Sequence, residues 1–164
     1  MTDYGLLAKQ IVSLAEVDAH WLPVLSNAAA LLWDALDDIN WAGFYLVDLA
    51  TTSDLESGIP ELRLGPFQGK VACVRIPFGR GVCGTAAATK TSQLVEDVHQ
   101  FPGHIACDSA SNSEVVVPIV KDNQVVGVLD IDSPSVARFT QEDLTGLEQV
   151  VKALESCANF SAFC

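Results

Sequence analysis

Five cysteines, at positions 73, 83, 107, 157 and 164, are the residues of this chain best suited to covalent chemistry. A thiolate is a nucleophile and a redox partner, and how readily it forms depends on what surrounds the sulfur. Cys83 follows Gly79-Arg80-Gly81 and should lie in the first turn of a short helix. The free N–H groups and partial positive charge at such a helix start favour the thiolate, and Arg80 is near enough in sequence to add to the effect. A small buried hydrophobe is an equally good account of Cys83. Cys107 lies in His104-Ile105-Ala106-Cys107-Asp108, inside a polar loop and close to a histidine. Core cysteines are rarely placed so, and the position favours a reactive thiol. Cys73 falls between Ala72 and Val74 in what reads as mid-strand, where packing is the better account. Cys157 reads as helix packing and Cys164 as incidental.

The cysteine count is odd, no C-x-x-C pair occurs, and Met1-Thr2-Asp3-Tyr4-Gly5 does not read as a secretory signal. These features point to reduced thiols in the cytoplasm rather than a disulfide framework. Zinc sites usually show C-x2-4-C or H-x3-5-H spacing flanked by further ligands. His99 and His104 come nearest, but they lack paired cysteines and share a loop with Pro102 and Gly103. No metal and no cofactor is expected.

The second group with chemical potential is acidic. Glu114 opens one strand of an apparent hairpin, and Asp130-Ile131-Asp132 ends the other. Asp130 and Asp132 are two apart, so on a strand both project to one face. Asp is disfavoured within strands, and like charges on one face repel. The pattern fits a solvated strand end and a site that holds a cation or a proton equally well.

The charge of the whole chain excludes some functions. A formal net charge of -12 argues against nucleic acid, which needs clustered Lys and Arg, and against an anionic membrane surface. The apolar stretches fall short of the roughly 20 residues that a membrane span needs.

The elements that must position these residues follow from periodicity. Residues 5–17 carry Leu6, Leu7, Ile11, Val12 and Leu14 at helical spacing, and residues 21–37 continue with Leu25, Ala28, Ala29, Leu32 and Leu36. Trp41–Leu49 reads as a strand, and Thr51–Gly58 as a turn. Short strands are expected at Glu61–Leu64 and Val71–Ile76, then a small-residue helix over Val82–Thr89 and a strand at Gln93–Val95. Residues 97–112 have no period and carry Pro102, Gly103 and many Ser, Asn and Asp, the mark of a long functional loop. Glu114–Val120 and Val125–Asp132 are β-branched runs around Lys121-Asp122-Asn123-Gln124, a hairpin. Gln141–Phe160 closes the chain as a helix, with Thr140 and Asp143 at capping-box spacing.

Strands cluster with helices outside them, so the pattern predicts an α+β fold with a mostly antiparallel sheet. The 164 residues suit one domain, residues 1–164. Gly79-Arg80-Gly81-Val82-Cys83-Gly84 spells G-x-G-x-x-G, but it stands too far along the chain to open a βαβ unit. It is read as a tight strand-to-helix turn.

Seven segments together resemble a known family: Asn40-Trp41-Ala42-Gly43-Phe44-Tyr45, Leu64-Gly65-Pro66-Phe67-Gln68-Gly69, Cys73 with Arg75-Ile76, Gly81-Val82-Cys83-Gly84, His104-Ile105-Ala106-Cys107-Asp108, Ser111 to Pro118, and Gly127 to Ser133. They resemble the free methionine-R-sulfoxide reductases, which are stand-alone GAF-domain enzymes, over about residues 4 to 155. The resemblance implies a GAF-like fold and reduction of free L-methionine (R)-S-oxide. It implies Cys107 as the attacking thiol, with Cys73 and Cys83 as the two that resolve its oxidised form, in an order left open. It implies Glu114, Asp130 and Asp132 as the acids of the substrate pocket, Glu114 and Asp132 among the catalytic groups, and Trp41 and Tyr45 near the S-methyl group. Thioredoxin or a similar dithiol is the implied reductant, and the chain is expected to act alone or as a homodimer. The alternative is a non-enzymatic GAF sensor that binds a small ligand and uses its cysteines as redox switches. That reading does not account for three acids and three cysteines at these positions together. A partner-binding module accounts for them least.

Overall fold

The computed structural model describes residues 2–47, 58–104 and 109–163. In chain order the elements are α1 (Tyr4–Ala15), α2 (Trp21–Ala35), β1 (Trp41–Val47), β2 (Glu61–Gly69), β3 (Arg75–Pro77), α3 (Gly81–Thr89), β4 (Gln93–Val95), β5 (Ser113–Lys121), β6 (Gln124–Ser133) and α4 (Gln141–Cys157). The strands form one sheet in the order β3-β2-β1-β6-β5-β4, and every pairing is antiparallel. This is the α+β architecture that the element order predicts. Among the described residues no helix is long and apolar enough to cross a membrane.

Local signals account for most boundaries. The Asp3 side chain accepts from the backbone N–H of Leu6 and starts α1. Thr140 and Asp143 form a reciprocal capping box at the start of α4. The β5–β6 hairpin turns through Asp122 and Asn123, with φ of +50° and +62°. Asp and Asn tolerate this left-handed backbone better than other non-glycine residues, and paired left-handed residues suit a two-residue hairpin turn.

The strands show their alternation through what covers each face. Ala42, Phe44, Leu46, Val115, Val117, Ile119, Leu129 and Ile131 point to one side, into a core with the apolar stripes of α1, α2 and α4. Trp41, Tyr45, Val47, Val116 and Val128 point to the other, into a second core with Ile76 and with Val82, Cys83, Ala86 and Ala87 of α3. Both faces of β1 are covered, so all its residues are buried and its sequence lacks a polar alternation. The candidate site lies on the α3 face.

The structure corrects the sequence reading in several places. Residues 71–74 are not a strand: β2 runs on from Glu61 to Gly69, and only Arg75–Pro77 pairs with it as β3. Pro66 is tolerated inside β2 because the β1–β2 register shifts between Gly43 and Tyr45. Cys73 is therefore on the connection between β2 and β3 rather than mid-strand. Helix α2 stops at Ala35, and α4 stops at Cys157, where Ala158 turns extended and Asn159 bridges to His20. Leu49 and most of the expected turn Thr51–Gly58 lie outside the described residues.

Candidate active site

Strand register brings the acids together. Glu114 on β5 stands opposite Asp132 on β6, and Asp132 stands opposite Trp41 on β1. Asp130, two residues back, stands between Val116 and Gly43. Trp41, Tyr45, Glu114, Asp130 and Asp132 therefore share one face of three adjacent strands.

Helix α3 brings a thiol down onto that face. The chain leaves β3 and enters α3 through Gly79 and Gly81, with φ of +81° and +61°. At Gly84 a Cβ would come within 2.4 Å of the Pro77 carbonyl oxygen, so the helix packs against its own entry turn. The three glycines thus build a strand-to-helix turn that lowers Cys83 into the site, with its Sγ 3.9 Å from Glu114 Oε1.

These side chains, with His104, line a pocket of about 540 Å³ that includes open solvent at its mouth. One wall is aromatic: the Trp41 ring stacks on Tyr45 at 5.7 Å and on Phe67 at 5.2 Å. Trp41 Nε1 donates to the Lys70 carbonyl at 3.2 Å, which sets the rotation of the indole. Phe67 fits because Gly43 has no side chain, since a Cβ there would lie 2.3 Å from Phe67 Cβ.

Burial dominates the electrostatics. Glu114 and Asp130 are 7% and 5% exposed. Asp130 Oδ1 has no hydrogen-bond partner. Desolvation pushes the Glu114 carboxyl well above the usual carboxylate range, and the charges of Asp130 and Asp132 add to the effect. Desolvation also raises Asp130, to about 6, against the opposing hydrogen bonds from Cys83 and Glu114. The Cys83 thiol is raised too, first by burial and then by the neighbouring acids. Of the two accounts left open for Cys83, a thiolate at a helix start and a small buried thiol, burial and the neighbouring carboxylates favour the second. Tyr45 is raised by burial and then by Asp130. His104 is lowered by burial and by His99. Its Nε2 stands 4.0 Å from Glu114 Oε2, and both groups are shifted toward their neutral forms, which weakens any ion pair between them.

Of the residues singled out in the sequence, Trp41, Tyr45, Cys83, Glu114, Asp130 and Asp132 meet in this pocket. Cys73 is half-buried and held in a disulfide, whereas Cys83 and Cys157 are free thiols. Cys157 packs against the helical core, on the far side of the sheet. Cys107 and Cys164 lie outside the described residues. The sequence reading did not assign Phe67 or Ser111 to the site. Phe67 belongs to the segment Leu64-Gly65-Pro66-Phe67-Gln68-Gly69, and its place over Gly43 depends on strand register. Ser111 lines the pocket and accepts from Asn40 Nδ2 at 3.2 Å. Ligand atoms of Cys83, Glu114 and Asp130 come within 4.8 Å of one another. Ligand spacing along the chain is blind to this trio, whose members come from three different elements.

The sequence profile of the GAF domain matches residues 9–157. The chain is 55% identical over 152 residues to the free methionine-R-sulfoxide reductase of Escherichia coli (strain K12), covering 93% of this chain and 86% of that one. It is similar to fRMsr of Staphylococcus aureus in complex with substrate, with a TM-score of 0.85, 52% identity and 97% of each chain covered. It is also similar to the free methionine-R-sulfoxide reductase of Neisseria meningitidis in complex with its substrate. There the TM-score is 0.86 and the identity 43%, over 97% of this chain and 90% of that one.

Proposed function

The chain belongs to the GAF domain family, among its free methionine-R-sulfoxide reductases, and from that premise we propose how residues 1–164 act as one catalytic unit. The reaction is reduction of free L-methionine (R)-S-oxide to methionine. The observation that carries the mechanism is the set of acids on one buried face, with Glu114 disposed to hold its proton.

In this reading Asp130 and Asp132 receive the substrate ammonium, a group that a methionine inside a peptide lacks. The stacked rings of Trp41 and Tyr45 receive the S-methyl end. The thiolate of Cys107 attacks the sulfoxide sulfur while Glu114 delivers its proton to the oxygen. Oxygen and proton pass to the cysteine as a sulfenic acid, and methionine leaves. A second thiol then condenses with the sulfenic acid, forming a disulfide and releasing water. The disulfide that holds Cys73, against a buried and poorly ionised Cys83 thiol, supports Cys73 as that second thiol. A dithiol such as thioredoxin returns both cysteines to thiols by exchange.

Thioredoxin-dependent turnover of free methionine R-sulfoxide, compared with the S form, tests this. Turnover of the R form with little of the S form is expected. No methionine from the R form, with thioredoxin or with dithiothreitol, would overturn it.

A further inference from the structure

Cys73 sits in an electrostatic setting unlike the rest of the molecule. From Lys70 to Arg80 the chain reads Lys-Val-Ala-Cys-Val-Arg-Ile-Pro-Phe-Gly-Arg: it holds three of the nine Lys and Arg residues and no Asp or Glu, in a protein of net charge -12. Lys70, Arg75 and Arg80 are all exposed. Arg75 makes a 3.6 Å ion pair with Glu61. The two residues that bracket Ala72-Cys73 are apolar and project into solvent, Val71 at 88% and Val74 at 65% exposure. Valines so open to water gain nothing from packing within the chain, and set among these cations on either side of the disulfide-held sulfur they offer a partner apolar contact beside positive charge.

We propose that the Lys70–Arg75 connection, with Val71 and Val74 flanking Cys73, is the docking surface for the protein dithiol that recycles the enzyme, and that its thiolate attacks Cys73 Sγ. This rests on the catalytic cycle proposed above and deepens it.

The attacking species in thiol–disulfide exchange is an anion. The overall field of this protein repels anions, and a local run of cations reverses that field where the anion must arrive. The attack forms a mixed disulfide between the reductant and Cys73, and the former partner of Cys73 departs as a thiolate and takes a proton. The reductant's second thiol then attacks its own sulfur in the mixed disulfide. Cys73 is released as a thiolate and protonated, and the two electrons have left the reductant, which ends as an internal disulfide. Val71 and Val74 supply the apolar contact that holds the reductant while both exchanges occur.

The test compares Arg75→Gln, Val74→Ser and the double variant with the parent protein. Methionine formation is followed with thioredoxin and, separately, with dithiothreitol. The double variant should lose roughly tenfold in kcat/KM for thioredoxin, the scale on which rim charges alter association, and the parent value should fall with added salt. Turnover driven by dithiothreitol should stay at the parental rate. A thioredoxin lacking its second cysteine should be trapped on Cys73, as read by peptide mapping. Parental thioredoxin kinetics in the double variant, or trapping on another cysteine, would overturn the proposal. Absence of methionine with dithiothreitol in the parent protein would instead sink the catalytic reading beneath it.

Discussion

The Sγ of Cys83 stands 3.9 Å from Oε1 of Glu114, a buried contact between the first turn of α3 and the second residue of β5. Both groups are pushed toward their protonated forms by the same dry surroundings. Cys83 is therefore a weak donor to a carboxyl group rather than a thiolate.

One expected outcome concerns Cys83 itself. In the reduced protein near pH 7 it should alkylate with iodoacetamide at least about tenfold more slowly than a small free thiol, whose pKa is near 8.5. Mass mapping of labelled peptides over time measures this. Labelling of Cys83 as fast as the free thiol would mean that the helix start outweighs burial after all.

The acids should divide the kinetics. Glu114→Gln should lower kcat by roughly 10²–10⁴-fold, the cost of a lost general acid. In the parent enzyme kcat should fall as pH rises through the Glu114 pKa, because the proton to be delivered is lost, and the variant should lack that limb. Asp130→Asn and Asp132→Asn should act mainly on KM. Unchanged kcat, KM and pH profile in all three variants would leave the acids without a role in the reaction.

The same burial predicts a stability cost. Asp130 titrates at about 6 in the folded protein against an ordinary 3.8, and Glu114 is also raised. Between the unfolded and folded pKa values the native chain holds the extra protons, so stability falls as pH rises through that window and stays low above it. Asp130→Asn and Glu114→Gln should therefore unfold at higher urea than the parent at pH 7.5, and the gain should shrink toward pH 4. Equal midpoints at both pH values would show that these carboxyls are not desolvated.

The cysteines should separate by step. Cys107→Ser should abolish methionine release, and Cys157→Ser and Cys164→Ser should leave turnover near that of the parent. Cys73→Ser should release about one methionine per enzyme without reductant and then stall with thioredoxin, as expected of a sulfenic acid that lacks its resolving thiol. Full single-turnover release from Cys107→Ser would move the attack to another residue.

Gly43 should be intolerant of a methyl group. A Cβ there would meet Phe67 Cβ at 2.3 Å, Phe67 Cα at 2.7 Å and the Pro66 carbonyl oxygen at 2.9 Å. Gly43→Ala should cost about 1–3 kcal/mol in urea unfolding, the usual scale of overpacking, and should raise KM by shifting Phe67 against Trp41. A variant with parental stability and KM would show that β2 can shift freely.

What the sequence determined by itself is what near neighbours along the chain decide. Periods of 3.6 and 2 place α1, α2, α4 and the β5–β6 hairpin, because burying one stripe or one face dictates the spacing of apolar residues. The pair Asp130 and Asp132 on one face follows from strand geometry, and the Thr140 capping box from spacing alone. Segments 71–74 eluded that reading because four apolar-looking residues in a row carry no period, and pairing partners, not propensity, decide where β2 ends. The meeting of Cys83, Glu114 and Asp130 was equally out of reach, since it depends on the α3 crossing over β5 and β6. The ionisation of these groups was decided last and furthest from the sequence. A helix start argues for a thiolate at Cys83, but whether water reaches the sulfur depends on every element packed around it, and desolvation outweighs a partial charge.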